Sequence, residues 1–258
     1  MLPDMKPILF NPPGEFESIE IYPIHDLHYG NAQFNLDKWK KLKAEILAQP
    51  NRYCVCVGDL LEMAIPGSKS DVFSQVVPPD AQKEWIAYEL GELAERVIAV
   101  VSGNHEHNRA TKICGLYPLY DACCWARIQD KYRENFAVVD IGVGQRRKDR
   151  KTQYVGFVTH RAKELKGWST VDTLEGFDFL LYGHDHDPKE HSRAHLAYDT
   201  KLKRLFYRSI ESVDCGSFLT YGAYAARAAY RPPSDKLYKL ALCPKGDKKQ
   251  IETVGFYL

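Results

Sequence analysis

Five short blocks, Asp26-x-His28, Gly58-Asp59, Gly103-Asn104-His105-Glu106, a lone His160 and Gly183-His184-x-His186, share a setting as well as a chemistry. Each stands at the end of an apolar run, where a core offers no water and such groups are costly to bury without partners. Carboxylate, amide oxygen and imidazole together suit a borderline divalent transition ion such as Mn, Fe, Co, Ni or Zn. They suit Ca or Mg poorly, since those ions prefer oxygen alone. The seven candidate ligands are Asp26, His28, Asp59, Asn104, His160, His184 and His186. They are too many for one ion of about four to six ligands, and two ions sharing a bridging carboxylate fit the count.

Taken alone, each block has an ordinary reading. Asp26 and His28 resemble a capping carboxylate and a half-exposed histidine, Gly58-Asp59 a turn, and His160 a structural histidine. The His184-x-His186 pair says more, because alternate positions on a strand share a face and aim two imidazoles together. The joint occurrence of all five blocks, each closing an apolar run, is what the ordinary readings do not explain.

The elements that must position these residues are legible around them. Residues 18–25, 53–57 and 96–103 read as strands, the last two ending in Gly58-Asp59 and Gly103-Asn104-His105-Glu106. Strand ends in α/β folds gather along one rim, where sites form. Asn35 is a good N-cap for a helix whose Leu36, Trp39, Leu42, Ile46 and Leu47 form an apolar stripe. Pro78-Pro79 and Asp80 open a second helix, about 80–96, with Trp85, Ile86, Leu90 and Leu93 inward. Further strands are expected at 136–142, 152–160 and 177–184, with a charged hairpin tip between the first two. Segments 191–198 and 203–209 alternate like one hairpin, and 236–243 with 250–257 like another turning at Lys245-Gly246-Asp247. An α/β half followed by a β-rich half implies a layered sandwich with helices outside.

Composition sets the wider bounds. The 258 residues form one domain in this reading, 1–258, with a motif-bearing core at about 18–186 and a β-rich part at about 187–258 completing the sandwich. Apolar residues make up 45%, charged residues 27%, and the net charge is +1, which argues against a broad basic footprint. No basic segment followed by an apolar stretch opens the chain, and no run is long enough to cross a bilayer. Seven scattered cysteines, among them Cys54-x-Cys56 and Cys123-Cys124, read as reduced thiols, mostly buried, rather than a metal site. A cytoplasmic protein without membrane contact is the expectation.

The ordered series D-x-H, G-D, G-N-H-[DE], a separated His and G-H-x-H resembles the signature of the calcineurin-like metallophosphoesterase superfamily. It spans residues 26–186 here, and roughly the last seventy residues carry no signature. The resemblance implies an α/β fold, a four-layer αββα sandwich of two mixed β-sheets flanked by helices, around a dinuclear metal centre. Carried over by position, Asp26, His28 and His186 hold one ion, Asn104, His160 and His184 the other, and Asp59 bridges them. His105 then faces substrate. His25 stands where many members have a small residue, Glu62 where an acidic residue often follows the bridging Asp, and His191 and His195 are alternatives to His160. His107 reads as a surface or outer-shell residue.

The chemistry implied is hydrolysis of phosphate esters by a metal-bridging hydroxide, with two divalent transition ions as cofactors, Mn foremost and Fe, Zn, Ni or Co also suited. His105 would protonate the leaving oxygen or bind the phosphoryl group as imidazolium, with Glu106 orienting it. No nucleophile motif of the G-x-S-x-G type is present. The substrate is expected to be a phosphodiester, on a nucleotide or nucleic acid: Tyr221, Tyr224, Arg227, Tyr230 and Arg231 would offer stacking faces and phosphate contacts if exposed near the rim, their ordinary reading being packed sheet and turn residues with solvated charges. A phosphomonoesterase acting on proteins or small molecules is the alternative, and a non-catalytic metal-stabilised scaffold a further one. Arg109, close after the third block, is a further candidate to meet a phosphate.

Overall fold

The computed structural model describes residues 3–66, 68, 72–144, 151–162, 173–201, 203–222, 232, 234–245 and 248–258. Two six-stranded sheets lie face to face. In the first, β2 (Ile19–Ile24), β3 (Arg52–Cys56), β4 (Val97–Val101) and the short β5 (Tyr132–Arg133) run parallel. The β11 (Leu237–Leu242) and β12 (Ile251–Phe256) hairpin extends the sheet antiparallel beyond β2. In the second, β6 (Phe136–Val143) and β7 (Thr152–Thr159) pair antiparallel, β8 (Phe179–Tyr182) runs parallel to β7, and β10 (Arg204–Asp214) parallel to β8. The edges are β1 (Ile8–Phe10), parallel to β6, and β9 (Lys189–Asp199), antiparallel to β10. Two mixed sheets with helices outside are the expected αββα sandwich.

The central strands are apolar on both faces because both are covered. Ile19 and Ile21 of β2 and Tyr53, Val55 and Val57 of the β3 segment enter the core between the sheets, against Val139, Tyr154 and Phe179. Their alternates, Tyr22, Ile24, Cys54 and Cys56, face the helices, as the two-residue period of a strand requires. Cys54 and Cys56 are thus core residues, and all seven cysteines are free thiols. Helix α1 (Leu36–Leu47) starts where Asn35 accepts a 3.0 Å hydrogen bond from the Lys38 amide. It buries Trp39, Leu42 and Ile46. Leu36 and Leu47 are exposed, against expectation. Leu47 follows Ile46 by one residue and so points about 100° away from the buried stripe.

Helix α2 (Pro79–Glu92) buries Ile86 and Leu90, and Leu93 packs just beyond its end, so the helix is shorter than the expected 80–96. The helical stretch after β4 was not expected. A π-helical turn, His105–Thr111, runs into α3 (Lys112–Cys114), and α4 (Pro118–Trp125) follows. The longer described helices share the core on the outer face of the first sheet. The outer face of the second carries a small cluster of Leu180 and Ile210, with Phe157 and Leu174 packed on it.

Both C-terminal hairpins form as expected, one widening each sheet. The charged tip between β6 and β7 and the turn at Gly246-Asp247 lie outside the described residues. No described helix is long and apolar enough to cross a membrane.

Candidate metal centre

The candidate ligands reach one place from two sheets. Asp26 and His28 follow β2, Asp59 follows β3 and Asn104 follows β4, all in the first sheet. His160 follows β7, and His184 and His186 follow β8, in the second. The rim where the two sheets meet is therefore lined from both sides.

Two groups of donor atoms form there, and a third, His28, Asp59 and His105, spans them. In one, His186 Nε2 lies 3.1 Å from Asp26 Oδ1 and 3.2 Å from His28 Nε2, and His28 Nε2 is 3.6 Å from Asp26 Oδ1. In the other, His160 Nε2 lies 3.2 Å from Asp59 Oδ2 and 3.1 Å from Asn104 Oδ1. His184 offers a ring nitrogen within 4.8 Å of the donor atoms of Asp59 and His160. Asp59 also reaches the first group, with Oδ2 4.0 Å from His28 Nε2. Ligands held about 2.0–2.2 Å from one ion lie about 3–3.6 Å from each other, so these spacings and donor types fit two divalent ions with Asp59 between them. His160 is further oriented by its other nitrogen, which donates to the Val57 carbonyl at 2.9 Å and leaves Nε2 aimed inward.

The backbone is strained at the same points. Eight non-glycine residues among those described have positive φ, and five of them are Asp26, His28, Asp59, His184 and His186. Such conformations cost free energy and persist where the surrounding structure over-determines them, which is characteristic of functional sites. Gly103 serves close approach: a Cβ there would overlap the Asp59 side chain and amide. Gly58 has φ +91° and faces the Gly103 backbone, so both residues of this contact are held to glycine.

Charge follows the geometry. Burial alone would raise the carboxyls of Asp26 and Asp59, but His186 beside Asp26 and His160 beside Asp59 hold both below the usual carboxylate range. Burial likewise disfavours charged imidazoles, yet Asp26 and Glu62 push His28 up to about 10, and Asp59 pushes His160 up to about 9. His105 lacks a dominating partner, and burial pushes it down to about 3.

The residues around the ligands differ in part from expectation. Glu106 does not orient His105. Its fully buried carboxylate accepts hydrogen bonds from the amides of Asp59 (3.1 Å), Leu61 (2.9 Å) and Gly103 (2.9 Å), tying two site loops together. His105 instead lies against Arg109 and Glu62. His25 is buried and donates from Nδ1 to the Gly216 carbonyl at 3.0 Å, beneath Asp26. His107 pairs with Glu134 at 3.0 Å, outside the centre. His191 and His195 lie on edge strand β9, so His160 is the histidine that the fold brings to the rim. Of the C-terminal aromatic and arginine residues, Tyr221 is half-exposed, and Tyr224, Arg227, Tyr230 and Arg231 lie outside the described residues.

Sequence reasoning gave Glu62 and Arg109 no part in orienting His105. Arg109 stands four residues after His105 and Glu62 three after Asp59, offsets that carry signal only once the π turn is known to stack His105 under Arg109.

No family model matches this chain, and no curated protein matches it. Among solved structures it is similar to vacuolar protein sorting 29 from Cryptosporidium parvum, at 14% identity and a TM-score of 0.39, covering 95% of this chain and 100% of that one. It is also similar to a single mutant of Vps29 from Entamoeba histolytica, at 13% identity and a TM-score of 0.40, covering 92% and 99%. The double mutant of that protein gives 12%, 0.39, 93% and 99%. Likeness this distant says nothing about activity.

Proposed function

We propose that this chain is a metal-dependent phosphoesterase. Asp26, His28 and His186 would hold one divalent transition ion, Asn104, His160 and His184 a second, with Asp59 shared. The observation that carries the reading is the pair of donor groups meeting at Asp59, with five of the donors held in left-handed backbone. When bound, two such ions supply an activated water and neutralise charge on phosphoryl oxygens. The chain's own residues do the rest. Asp26 and Asp59, held ionised, provide the negative charge that attracts the ions, and His105 borders Asp59 with Nε2 3.7 Å from its Oδ2. The buried walls around Asp26, Asp59 and Glu106 exclude bulk water from the inner side of the centre.

A diester of a nucleotide or nucleic acid is the favoured substrate, on the strength of the aromatic and arginine residues that follow Phe218 in the sequence. The test is hydrolysis by Mn-loaded protein of bis(p-nitrophenyl) phosphate against p-nitrophenyl phosphate, then of nucleotides and short DNA or RNA. Diester turnover exceeding monoester turnover supports the reading. Activity on monoesters alone would leave the metal chemistry and remove the diester preference, and no activity on any ester would favour a binding scaffold. Asp59→Ala should lower the content of both ions by elemental analysis. Undiminished metal in that variant removes the shared-carboxylate arrangement.

A further inference from the structure

Arg109 comes back from the π-helical turn to lie over His105. Its Nη2 is 2.7 Å from His105 Nε2, and its Nη1 donates to Glu62 at both the backbone carbonyl (2.6 Å) and Oε1 (3.0 Å). All three side chains are largely buried, with side-chain exposures of 10% for Arg109, 3% for Glu62 and 12% for His105. A guanidinium has only donors and keeps its proton in proteins. A ring nitrogen 2.7 Å from it must therefore accept, which excludes a proton on His105 Nε2. The proton of the neutral ring then sits on Nδ1, where the Glu62 carbonyl oxygen accepts it at 3.0 Å.

We propose that Arg109 is a positioning residue that locks His105 as its Nδ1–H tautomer, with Nε2 an acceptor, through the buried Glu62–Arg109 pair. The inference deepens the phosphoesterase reading and rests on it for its relevance to catalysis, though not for its geometry. It reverses the expectation that His105 gives a proton to a leaving oxygen, since the nitrogen beside Asp59 carries none. It also gives Glu62 a double role. With His105 Nδ1 protonated, His28 Nδ1 has no acceptor in that ring. When His28 Nε2 faces an ion, its Nδ1–H falls to Glu62 Oε2, 3.4 Å away. A carboxylate behind a ligating histidine fixes its tautomer in this way.

Imidazole nitrogens can be read directly in the full-length chain. The protein is labelled with ¹⁵N-histidine, loaded with diamagnetic zinc at neutral pH, and examined by long-range ¹H–¹⁵N correlation, with His105 assigned by its loss in His105→Ala. The expected spectrum shows a protonated Nδ1 and an unprotonated Nε2 for His105. A protonated Nε2, a doubly protonated ring, or an Nε2 shifted by zinc would each overturn the proposal. In Arg109→Met, checked as folded by circular dichroism, the Nε2–H tautomer should become populated. A folded variant that keeps Nδ1–H alone would show that Arg109 does not set it. The wild-type spectrum decides the tautomer even if that variant fails to fold. Failure of the phosphoesterase reading would show separately, as absent hydrolysis with this spectrum intact.

Discussion

At the scale of single residues, the centre is a set of acids and bases holding each other charged. His28, raised to about 10, and His160, raised to about 9, both carry protons at neutral pH in the metal-free chain, facing the ionised Asp26 and Asp59. A divalent ion binding at their Nε2 atoms must displace those protons. Metal uptake should therefore release protons, and apparent affinity should rise with pH until the raised values are passed, by up to about tenfold per unit for each proton released. Titration calorimetry in buffers of different ionisation enthalpy measures this. Binding enthalpy independent of the buffer would mean that the imidazoles are not displaced. The proposed ligands stand out in the sequence because each is a polar residue closing an apolar run. Their supporting residues do not: Glu106 looked like a partner for its neighbour His105, whereas its carboxylate accepts from the amides of Asp59 and Leu61 in the neighbouring loop and of Gly103 in its own.

At the scale of elements, strands were legible and the piece after β4 was not. Two-residue alternation and Gly-terminated apolar runs mark β2, β3, β4, β7 and β8 plainly. The stretch HEHNRAT has no apolar stripe at helical period, since its turn is wound as a π-helix and buries Glu106, Arg109 and Ala110. That winding is what places Arg109 over His105. The strand ends depend on close approach between neighbouring loops, and Gly103 is the tightest point. Gly103→Ala would force its Cβ into Asp59, which cannot yield without moving the proposed bridge. We expect a loss of about 1–3 kcal/mol in stability, of the order of overpacking a core. Reduced content of both ions should accompany it. Urea denaturation and elemental analysis measure the pair, and normal stability with normal metal would show that the loop absorbs the methyl group.

At the scale of the whole molecule, the proposed ions would sit where the two sheets meet and take ligands from each. Asp26, His28 and Asn104 come from the first sheet, and His160, His184 and His186 from the second, so each ion would cross-link the sandwich. The inter-sheet core of residues such as Ile21, Val55, Tyr154 and Phe179 already joins them. The two C-terminal hairpins are divided between the sheets, so the motif-free last part is built into both halves rather than standing apart. One cooperative unit is proposed for the chain, and metal should stabilise it as a whole. A ligand at a hundred times its dissociation constant adds about 2.7 kcal/mol. In a chain of 258 residues each kcal/mol moves the melting temperature by about 2–4 °C. Stripping the metal with a chelator should therefore lower a single calorimetric transition by about 5–10 °C, and Asp59→Ala should remove most of the difference. Two separate transitions, only one of them sensitive to chelator, would place the metal within one sheet's half and break the cross-link argument.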